Sequence, residues 1–279
     1  MSDNPIEILP LTRYVGAEIR GVDVSVKLDS SICEKISKVL YQYGVVFFRN
    51  QNISDEQFLA FAEEFGEPRV NPLTHHVDKI PSIAKIVKEP WHETSTGDMW
   101  HADHTFLASP MNTMLRAVEV PAVGGDTLWV NTQIAFEHLP QKLKEELSRM
   151  NALHSHSFLI KDRDYAKKYE EEHGTSALRE KKSSTTKMQY HPVIRQHPQT
   201  GKDVLFVNPG YTVKFEGWSR EKSEPLLSTL YDHCLKPEFQ CRFKWDKGSI
   251  AMWDNSQTWH FAVNDYSGFR REMHRIVIG

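Results

Sequence analysis

The feature that most constrains the fold of this chain is a series of short runs rich in β-branched and aromatic residues, which favour β-strands. The runs are IAKIVKE, NTMLRAVEV, TLWVN, DVLFVN, QCRFKW, SIAMWD and MHRIVIG. Turn-forming segments such as VGGDT and PQTGKD lie between several of them. Because β-rich chains of about this length often fold as one unit, we predict a single, mainly β domain with added helices over residues 1–279.

Helices are predicted at a few places between these runs. The segment 30–43 has apolar residues at helical spacing and precedes the strand-like run GVVFF. A second helix, 55–65, follows a Ser54 cap and is ended by Gly66. Further helices are predicted over 133–138, 141–150 and 220–235. The polar segment 161–188 lacks apolar periodicity, and it is either a solvated surface insertion or a lid that closes over a ligand.

Charge and composition narrow the classes of partner. The 34 basic and 37 acidic residues nearly cancel, which argues against a nucleic acid or an anionic membrane surface as the partner. No run approaches the ~18 apolar residues that a membrane-spanning helix needs, and the N-terminus has no signal-peptide pattern. The three cysteines show no paired spacing, which favours a reducing compartment. We therefore expect a cytoplasmic protein that binds a small molecule.

The stretch MWHADHTF, residues 99–106, holds the first candidate metal ligands. If it forms a strand, His101 and Asp103 lie on one face and His104 on the other, because side chains alternate along a strand. Such a pair occurs often by chance, so a third ligand is needed. His260, in SIAMWDNSQTWH, is the best candidate, because a strand and a turn precede it. Two imidazoles and one carboxylate leave one face of an octahedral ion open, as in non-haem Fe(II) oxygenases.

Two arginines in the last strand-like run suggest an anion site. If RREMHRIVIG is a strand, Arg271, Met273 and Arg275 share one face, and Glu272 and His274 share the other. Guanidinium groups that line a cavity are partly desolvated, which is costly unless anions pair with them. A dicarboxylate co-substrate and an anionic substrate would meet that need. An isolated pair of surface arginines on an edge strand is the alternative.

These residues lie in motifs that extend along nearly the whole chain. The motifs are VGAEIRGVDVS, GVVFFRNQ, FAEEFGE, WHADHTF, PAVGGDTLWVN, HPVIRQHPQTGKDVLFVN, WDNSQTWH and RREMHRIVIG. Together they resemble the taurine dioxygenase and 2,4-dichlorophenoxyacetate dioxygenase family of Fe(II)/2-oxoglutarate-dependent oxygenases. The resemblance implies a double-stranded β-helix, or jelly roll, in the same class as the cupins. It also implies that His101, Asp103 and His260 bind Fe(II).

The resemblance further implies a reaction and the residues that support it. 2-Oxoglutarate and O₂ would be co-substrates and yield succinate and CO₂, while a small anionic substrate such as a sulfonate or an aryloxyalkanoate is hydroxylated. Thr127 and Arg271 are the residues that, by resemblance, hold the distal carboxylate of 2-oxoglutarate. Arg275 corresponds to an arginine that reaches an anionic substrate and lies near the metal-binding end of the co-substrate. The family commonly forms dimers or tetramers, so we expect a homo-oligomer.

The substrate positions differ from those of the taurine enzymes. A His, a Tyr and an Asn that help to hold taurine fall at Asn71, Thr74 and Gly97 here, which argues against taurine. Further candidate pocket residues are Met99, Phe158, Ile160 and Tyr211, with an ordinary place in the hydrophobic core as the alternative for each. An apolar pocket wall would favour a longer alkyl or aryl acid.

Two other functions remain open on the sequence. A metal-binding jelly roll that senses or stores a small anion would bind its ligand without forming succinate. A zinc hydrolase with the same three ligands would work without O₂ and 2-oxoglutarate. Neither explains Thr127 and Arg271 as well as a dioxygenase does.

Overall fold

The computed structural model describes residues 6–70, 75–109, 112–156, 163–173 and 188–279. Its strands are β1 (Glu7–Pro10), β2 (Ala17–Arg20), β3 (Val45–Phe48), β4 (Pro68–Arg69), β5 (His76–Val77), β6 (Ile80–Lys88), β7 (Asn112–Glu119), β8 (Thr127–Asn131), β9 (Asn151–Ser155), β10 (Met188–Pro192), β11 (Ile194–Gln196), β12 (Asp203–Leu205), β13 (Thr212–Phe215), β14 (Gln240–Phe243), β15 (Ile250–Asp254), β16 (Thr258–Ala262) and β17 (Arg271–Ile278). The helices are α1 (Ser30–Tyr43), α2 (Asp55–Glu63), α3 (Thr132–Glu137), α4 (Gln141–Leu147), α5 (Arg163–His173) and α6 (Arg220–Cys234), and a short 3₁₀ helix spans Pro237–Phe239.

A large sheet and a smaller one form the two walls of a jelly roll. The large sheet has the strand order β1-β2-β3-β15-β7-β17-β6-β5, with β4 also paired to β17, and the smaller sheet has the order β14-β8-β16. The β2–β3 pair is parallel, whereas the pairs around β7, β8, β15 and β17 are antiparallel. Neighbours in space are therefore distant in sequence, so strands from the two halves of the chain meet in one sheet. The predicted mainly β jelly roll is confirmed.

The space between the two walls is filled by apolar side chains from both sheets. Phe47 and Met273 from the large sheet join Trp129 and Phe243 from the smaller one in a single buried cluster. The Phe47 and Phe243 rings stack with centroids 4.0 Å apart. Contacts of this kind join the two walls.

The outer face of the large sheet is covered by α1 and α2. Ile36 and Leu40 of α1 and Phe58 of α2 pack in one cluster with Ile276 and Ile278 of β17. The even residues of β17 thus face the helices, while Met273 faces the interior. This confirms the alternation predicted for RREMHRIVIG, which places the two arginines of that strand on the interior face.

The predicted helices are present, with differences at their ends. The bounds of α1 match the prediction, and Gly44 follows in the left-handed region at φ 76°. Ser54 caps α2 in a capping box with Gln57, but α2 ends at Glu63, earlier than predicted. The predicted helix 141–150 ends at Leu147, because a turn leads into β9. The strand predicted over 203–208 ends at Leu205.

Among the described residues, no helix is long and apolar enough to cross a membrane.

Candidate metal centre and co-substrate site

Three buried side chains converge in the structure: His101, Asp103 and His260. The His101 Nε2 atom lies 3.6 Å from Asp103 Oδ1, and the His260 Nε2 atom lies 3.9 Å from Asp103 Oδ2. Two donors bound to one ion at about 2.1 Å each can be at most ~4.2 Å apart, so these separations are compatible with a shared cation. In the part of the chain that the structure describes, no fourth His, Cys, Asp or Glu joins the cluster.

The path of the backbone at these ligands differs from the predicted strand over 99–106. Only His101 pairs as in a sheet, in an isolated antiparallel bridge with His260, and Asp103 begins a turn in which His104 has φ 60°. The strand prediction is therefore wrong. The turn, not strand alternation, brings the Asp103 carboxylate next to the His101 ring. The bridge consists of reciprocal backbone hydrogen bonds, from His101 N to His260 O at 3.1 Å and from His260 N to His101 O at 2.7 Å.

The orientation of each imidazole bears on metal binding. His101 Nδ1 donates to the Met99 carbonyl oxygen at 2.8 Å, which leaves Nε2 free to act as a ligand. Burial lowers the pKa of His260 to about 3, so its ring is neutral and keeps a lone pair for a cation. The Trp253 ring lies 4.7 Å from the His260 ring, and His260 Nδ1 has no hydrogen-bond partner among the described residues.

Asp103 is ionised in this site. Burial disfavours its charged form, but the positive charge of Arg275, whose Nη1 atom lies 3.8 Å from Oδ1, helps to hold the pKa of the carboxyl well below its usual range. The neighbouring residue His104 is not part of the three-residue cluster. Burial lowers the pKa of its ring to about 4. The donor set is thus two imidazoles and one carboxylate. That set fits Fe(II) in the arrangement of the non-haem oxygenases.

Arg271 is a buried guanidinium that forms no salt bridge with a carboxylate among the described residues. It is 5% exposed, and its Nε and Nη2 atoms have no hydrogen-bond partner among the described residues. Burial also lowers the pKa of Arg271. Gly125 allows this packing, since a Cβ there would lie 3.2 Å from Arg271 Cδ, and its φ is 70°. The Tyr266 ring lies 6.0 Å from the guanidinium, but two buried donors still lack a partner among the described residues. Buried donors of a charged group left without a partner are strongly unfavourable, so the arrangement calls for an anion.

Thr127 lies two residues after Gly125, at the start of β8. Its hydroxyl oxygen is buried and accepts a hydrogen bond from Trp245 Nε1 at 2.9 Å. Since the indole occupies a lone pair of that oxygen, the hydroxyl proton is free to be donated to a ligand.

Arg275 lies on the same interior face of β17, but closer to the metal ligands. Its Nη1 atom is 3.8 Å from Asp103 Oδ1, and its Nε atom is buried without a hydrogen-bond partner among the described residues. The two guanidinium groups on this face of β17 thus indicate two positions that could each bind an anion. One lies near the metal ligands and the other near Gly125.

Of the predicted substrate residues, Gly97, Met99 and Tyr211 lie beside His101. A Cβ at Gly97 would lie 3.3 Å from His101 Cε1, and the Tyr211 ring is 6.3 Å from the His101 ring. Four other predicted pocket residues lie outside the described residues: Asn71, Thr74, Phe158 and Ile160.

Sequence reasoning missed two aromatic residues of the same wall. The Phe106 ring lies 5.2 Å from Tyr211, and the His156 ring stacks on Tyr211 at 6.3 Å. Phe106 closes the MWHADHTF motif, so its position beside the ligands could have indicated it. His156 follows β9, and nothing in its local sequence points to the site.

Part of the predicted lid, 161–188, is described as α5 and the start of β10. Near the end of α5, Glu172 accepts hydrogen bonds from the backbone N–H groups of Glu93 and Thr94 and from the Thr94 hydroxyl. Although its partial burial opposes ionisation, these bonds lower the pKa of Glu172 to about 2. These hydrogen bonds hold α5 against residues 93–94, which precede Gly97 and His101 in the chain. Residues 161–162 and 174–187 lie outside the described residues.

This chain is similar to known proteins in both sequence and structure. The family model for taurine catabolism dioxygenase TauD, TfdA family, matches residues 7–277. An alkylsulfatase of Acinetobacter baylyi is 34% identical over 277 residues, covering 98% of this chain and 84% of the relative. An alpha-ketoglutarate-dependent (2-oxoglutarate-dependent) sulfate ester dioxygenase of Pseudomonas putida is 34% identical over 278 residues, covering 98% and 89%. The crystal structure of a taurine dioxygenase from Burkholderia xenovorans superposes with a TM-score of 0.81 at 34% identity, covering 99% of this chain and 89% of that one.

Proposed function

Because this chain belongs to the taurine catabolism dioxygenase TauD, TfdA family, an Fe(II)- and 2-oxoglutarate-dependent family, we propose that its primary substrate is an alkyl sulfate ester. The protein is a dioxygenase of small anionic organic substrates that uses Fe(II), 2-oxoglutarate and O₂. Oxidation at the carbon next to the ester oxygen would consume one O₂ and one 2-oxoglutarate. The products would be an aldehyde, sulfate, succinate and CO₂, with one proton released.

The observation that carries the substrate proposal is the wall beside His101. It combines aromatic rings, Tyr211 and Phe106, with one cation, Arg275, near the metal ligands. An anionic head group can pair with the guanidinium while an apolar chain lies against the rings. Two relatives that are 34% identical are named for sulfate esters or alkyl sulfates, which supports the same class of substrate.

The site residues divide the work of the reaction. In the proposal His101, Asp103 and His260 hold Fe(II), which when bound supplies O₂ activation and the oxidative decarboxylation of 2-oxoglutarate. Arg271 pairs with the distal carboxylate of 2-oxoglutarate, and the Thr127 hydroxyl donates to the same group. Arg275 orients the sulfate head group. The protein contributes position and exclusion of water, so that oxidation occurs at the substrate carbon.

A substrate screen tests this proposal. Purified protein with Fe(II), 2-oxoglutarate and O₂ is given medium-chain alkyl sulfates, alkanesulfonates, taurine and aryloxyacetates, and succinate and released sulfate are measured. We expect alkyl sulfates to give the highest kcat/KM, with one sulfate released per substrate-dependent succinate. Turnover of taurine, sulfonates or aryloxyacetates with none of alkyl sulfates would refute the substrate class and leave the reaction class intact.

Assembly and location are further parts of the proposal. We propose a cytoplasmic dimer or tetramer that needs no nucleic acid or membrane. The three cysteines, Cys33, Cys234 and Cys241, are buried and free, which fits a reducing compartment. Light scattering coupled to size-exclusion chromatography would test the assembly, and a monomer at micromolar concentration would contradict it.

A further inference from the structure

Two buried polar residues form hydrogen bonds around Asp103: Thr113 of β7 and Asn255 of the turn between β15 and β16. The Thr113 hydroxyl donates to Asp103 Oδ2 at 3.1 Å. The Asn255 Nδ2 atom donates to Thr113 Oγ1 at 2.9 Å, and Asn255 Oδ1 accepts from Asp103 N at 3.0 Å. The three residues thus form a closed ring of hydrogen bonds in which neither Thr113 nor Asn255 is itself a ligand in the proposed metal site.

The direction of each hydrogen bond in this ring is fixed. Asn255 Oδ1 accepts from two N–H groups, the backbone of Asp103 and the indole of Trp253 at 3.0 Å, so only the amide oxygen can occupy that position. The amide NH₂ of Asn255 must then face Thr113 and donate to its oxygen. Because a hydroxyl has one proton, that of Thr113 is left to point at Asp103 Oδ2.

We propose that Thr113 and Asn255 are positioning residues that restrict Asp103 to binding the metal through Oδ1 alone. Oδ2 lies 3.9 Å from His260 Nε2 but is engaged by the Thr113 hydroxyl, whereas Oδ1 lies 3.6 Å from His101 Nε2 and accepts no hydrogen bond from Thr113 or Asn255. A carboxylate that bound through both oxygens would occupy a second coordination position. Binding through one oxygen keeps three adjacent positions open for the co-substrate and O₂. This inference rests on the metal-binding role in the proposed function.

The chain contains a matched pair that makes the same contact without touching a proposed ligand side chain. Asn208 Nδ2 donates to Thr105 Oγ1 at 3.0 Å, and Asn208 Oδ1 accepts from Tyr211 N at 2.9 Å. Thr105 is 1% exposed and Thr113 is fully buried, so loss of either hydroxyl removes a similar buried hydrogen bond. Thr105→Val is therefore the control for the general cost of such a loss.

The test is binding of Co(II) to metal-free protein, followed by the visible absorption of the bound ion, for wild type, Thr113→Val, Thr113→Ser and Thr105→Val. Outer-shell changes typically weaken metal binding 10- to 100-fold, so we expect Thr113→Val to raise the Kd at least about 10-fold. Thr113→Ser, which keeps the hydroxyl, should stay within about threefold of wild type. Thr105→Val should bind Co(II) as wild type does, although it also lowers the melting temperature.

Wild-type affinity in Thr113→Val, or an equal loss in Thr105→Val, would overturn the inference. If Thr113→Val does not fold, Asn255→Ala is measured in the same way with the same expected loss of affinity, because it frees the hydroxyl from its fixed direction. A wild-type protein that binds no Co(II) would instead overturn the proposed metal site itself. The two failures are therefore distinguishable.

Discussion

Replacing Arg271 with Met removes a buried charge that forms no salt bridge with a carboxylate among the described residues. The Nε and Nη2 atoms are both without a hydrogen-bond partner among the described residues, so each is available to a carboxylate. Hydrogen bonds to charged groups contribute about 1.5–3 kcal/mol each. Losing two at the lower figure costs about 3 kcal/mol, which weakens 2-oxoglutarate binding about 100-fold.

The same substitution should not destabilise the ligand-free protein. A buried guanidinium without an anion is itself unfavourable, so Arg271→Met should leave the melting temperature unchanged or raise it. Arg116 provides the matched control, because it is 7% exposed and its guanidinium is paired with Asp55 and with the Ile53 carbonyl oxygen. Breaking such a pair costs about 3–5 kcal/mol, so Arg116→Met should lower the melting temperature by roughly 6–20 °C.

The assay is anaerobic titration calorimetry of 2-oxoglutarate into the Co(II)-loaded protein, with thermal unfolding measured without 2-oxoglutarate. Arg271→Met is expected to lose affinity without losing stability, and Arg116→Met to lose stability. The reasoning is refuted if Arg271→Met binds 2-oxoglutarate as tightly as wild type. It is also refuted if Arg271→Met melts as far below wild type as Arg116→Met does, because Arg271 would then be paired within the fold.

Three further predictions follow from the described contacts. His101→Ala should abolish Co(II) binding, whereas His104→Ala, outside the cluster, should stay within a few-fold of wild type; equal loss in both would contradict the assignment of ligands. The folded-state pKa of Glu172 is lowered to about 2, so its contribution to stability is present above its unfolded value of about 4.3 and is lost as the pH falls towards 2. The melting temperatures of wild type and Glu172→Gln should therefore differ near pH 7 and converge as the pH falls from about 4 towards 2, and a constant difference would contradict this. Ser54→Ala removes the cap of α2 and should lower the free energy of unfolding by about 1 kcal/mol, which lowers the melting temperature by ~2–4 °C. Ser31 lies on the exposed surface of α1, so Ser31→Ala is the control and should leave the melting temperature unchanged.

Local sequence patterns predicted several elements because the physical signal lies within a few residues. The apolar spacing of 30–43 and Gly44 define α1, and the alternation in RREMHRIVIG places Arg271 and Arg275 on the interior face. The convergence of His101 and Asp103 was predicted from strand alternation, yet a turn with a left-handed His104 produces it. A motif can therefore indicate the ligands while local propensity misjudges the backbone that presents them.

The contacts that sequence reasoning did not find depend on long-range register. Thr113 meets Asp103 because β7 pairs with β15, whose following turn carries Asn255. Nothing within the segment around Thr113 distinguishes it from another buried strand threonine. Phe106 could have been predicted from the sequence, since it belongs to the motif that carries His101 and Asp103. His156 was not, because it reaches the site only through the pairing of β9 with β13.

The reciprocal backbone hydrogen bonds between His101 and His260 make a rigid unit of two residues that are far apart in the chain. Their separation is set by main-chain geometry and is independent of the side chains and lengths of the loops on either side. Those loops can diverge, and with them the choice of substrate, while the spacing of the two imidazoles stays constant. Substrate preference and the inherited redox chemistry can therefore evolve separately in this architecture.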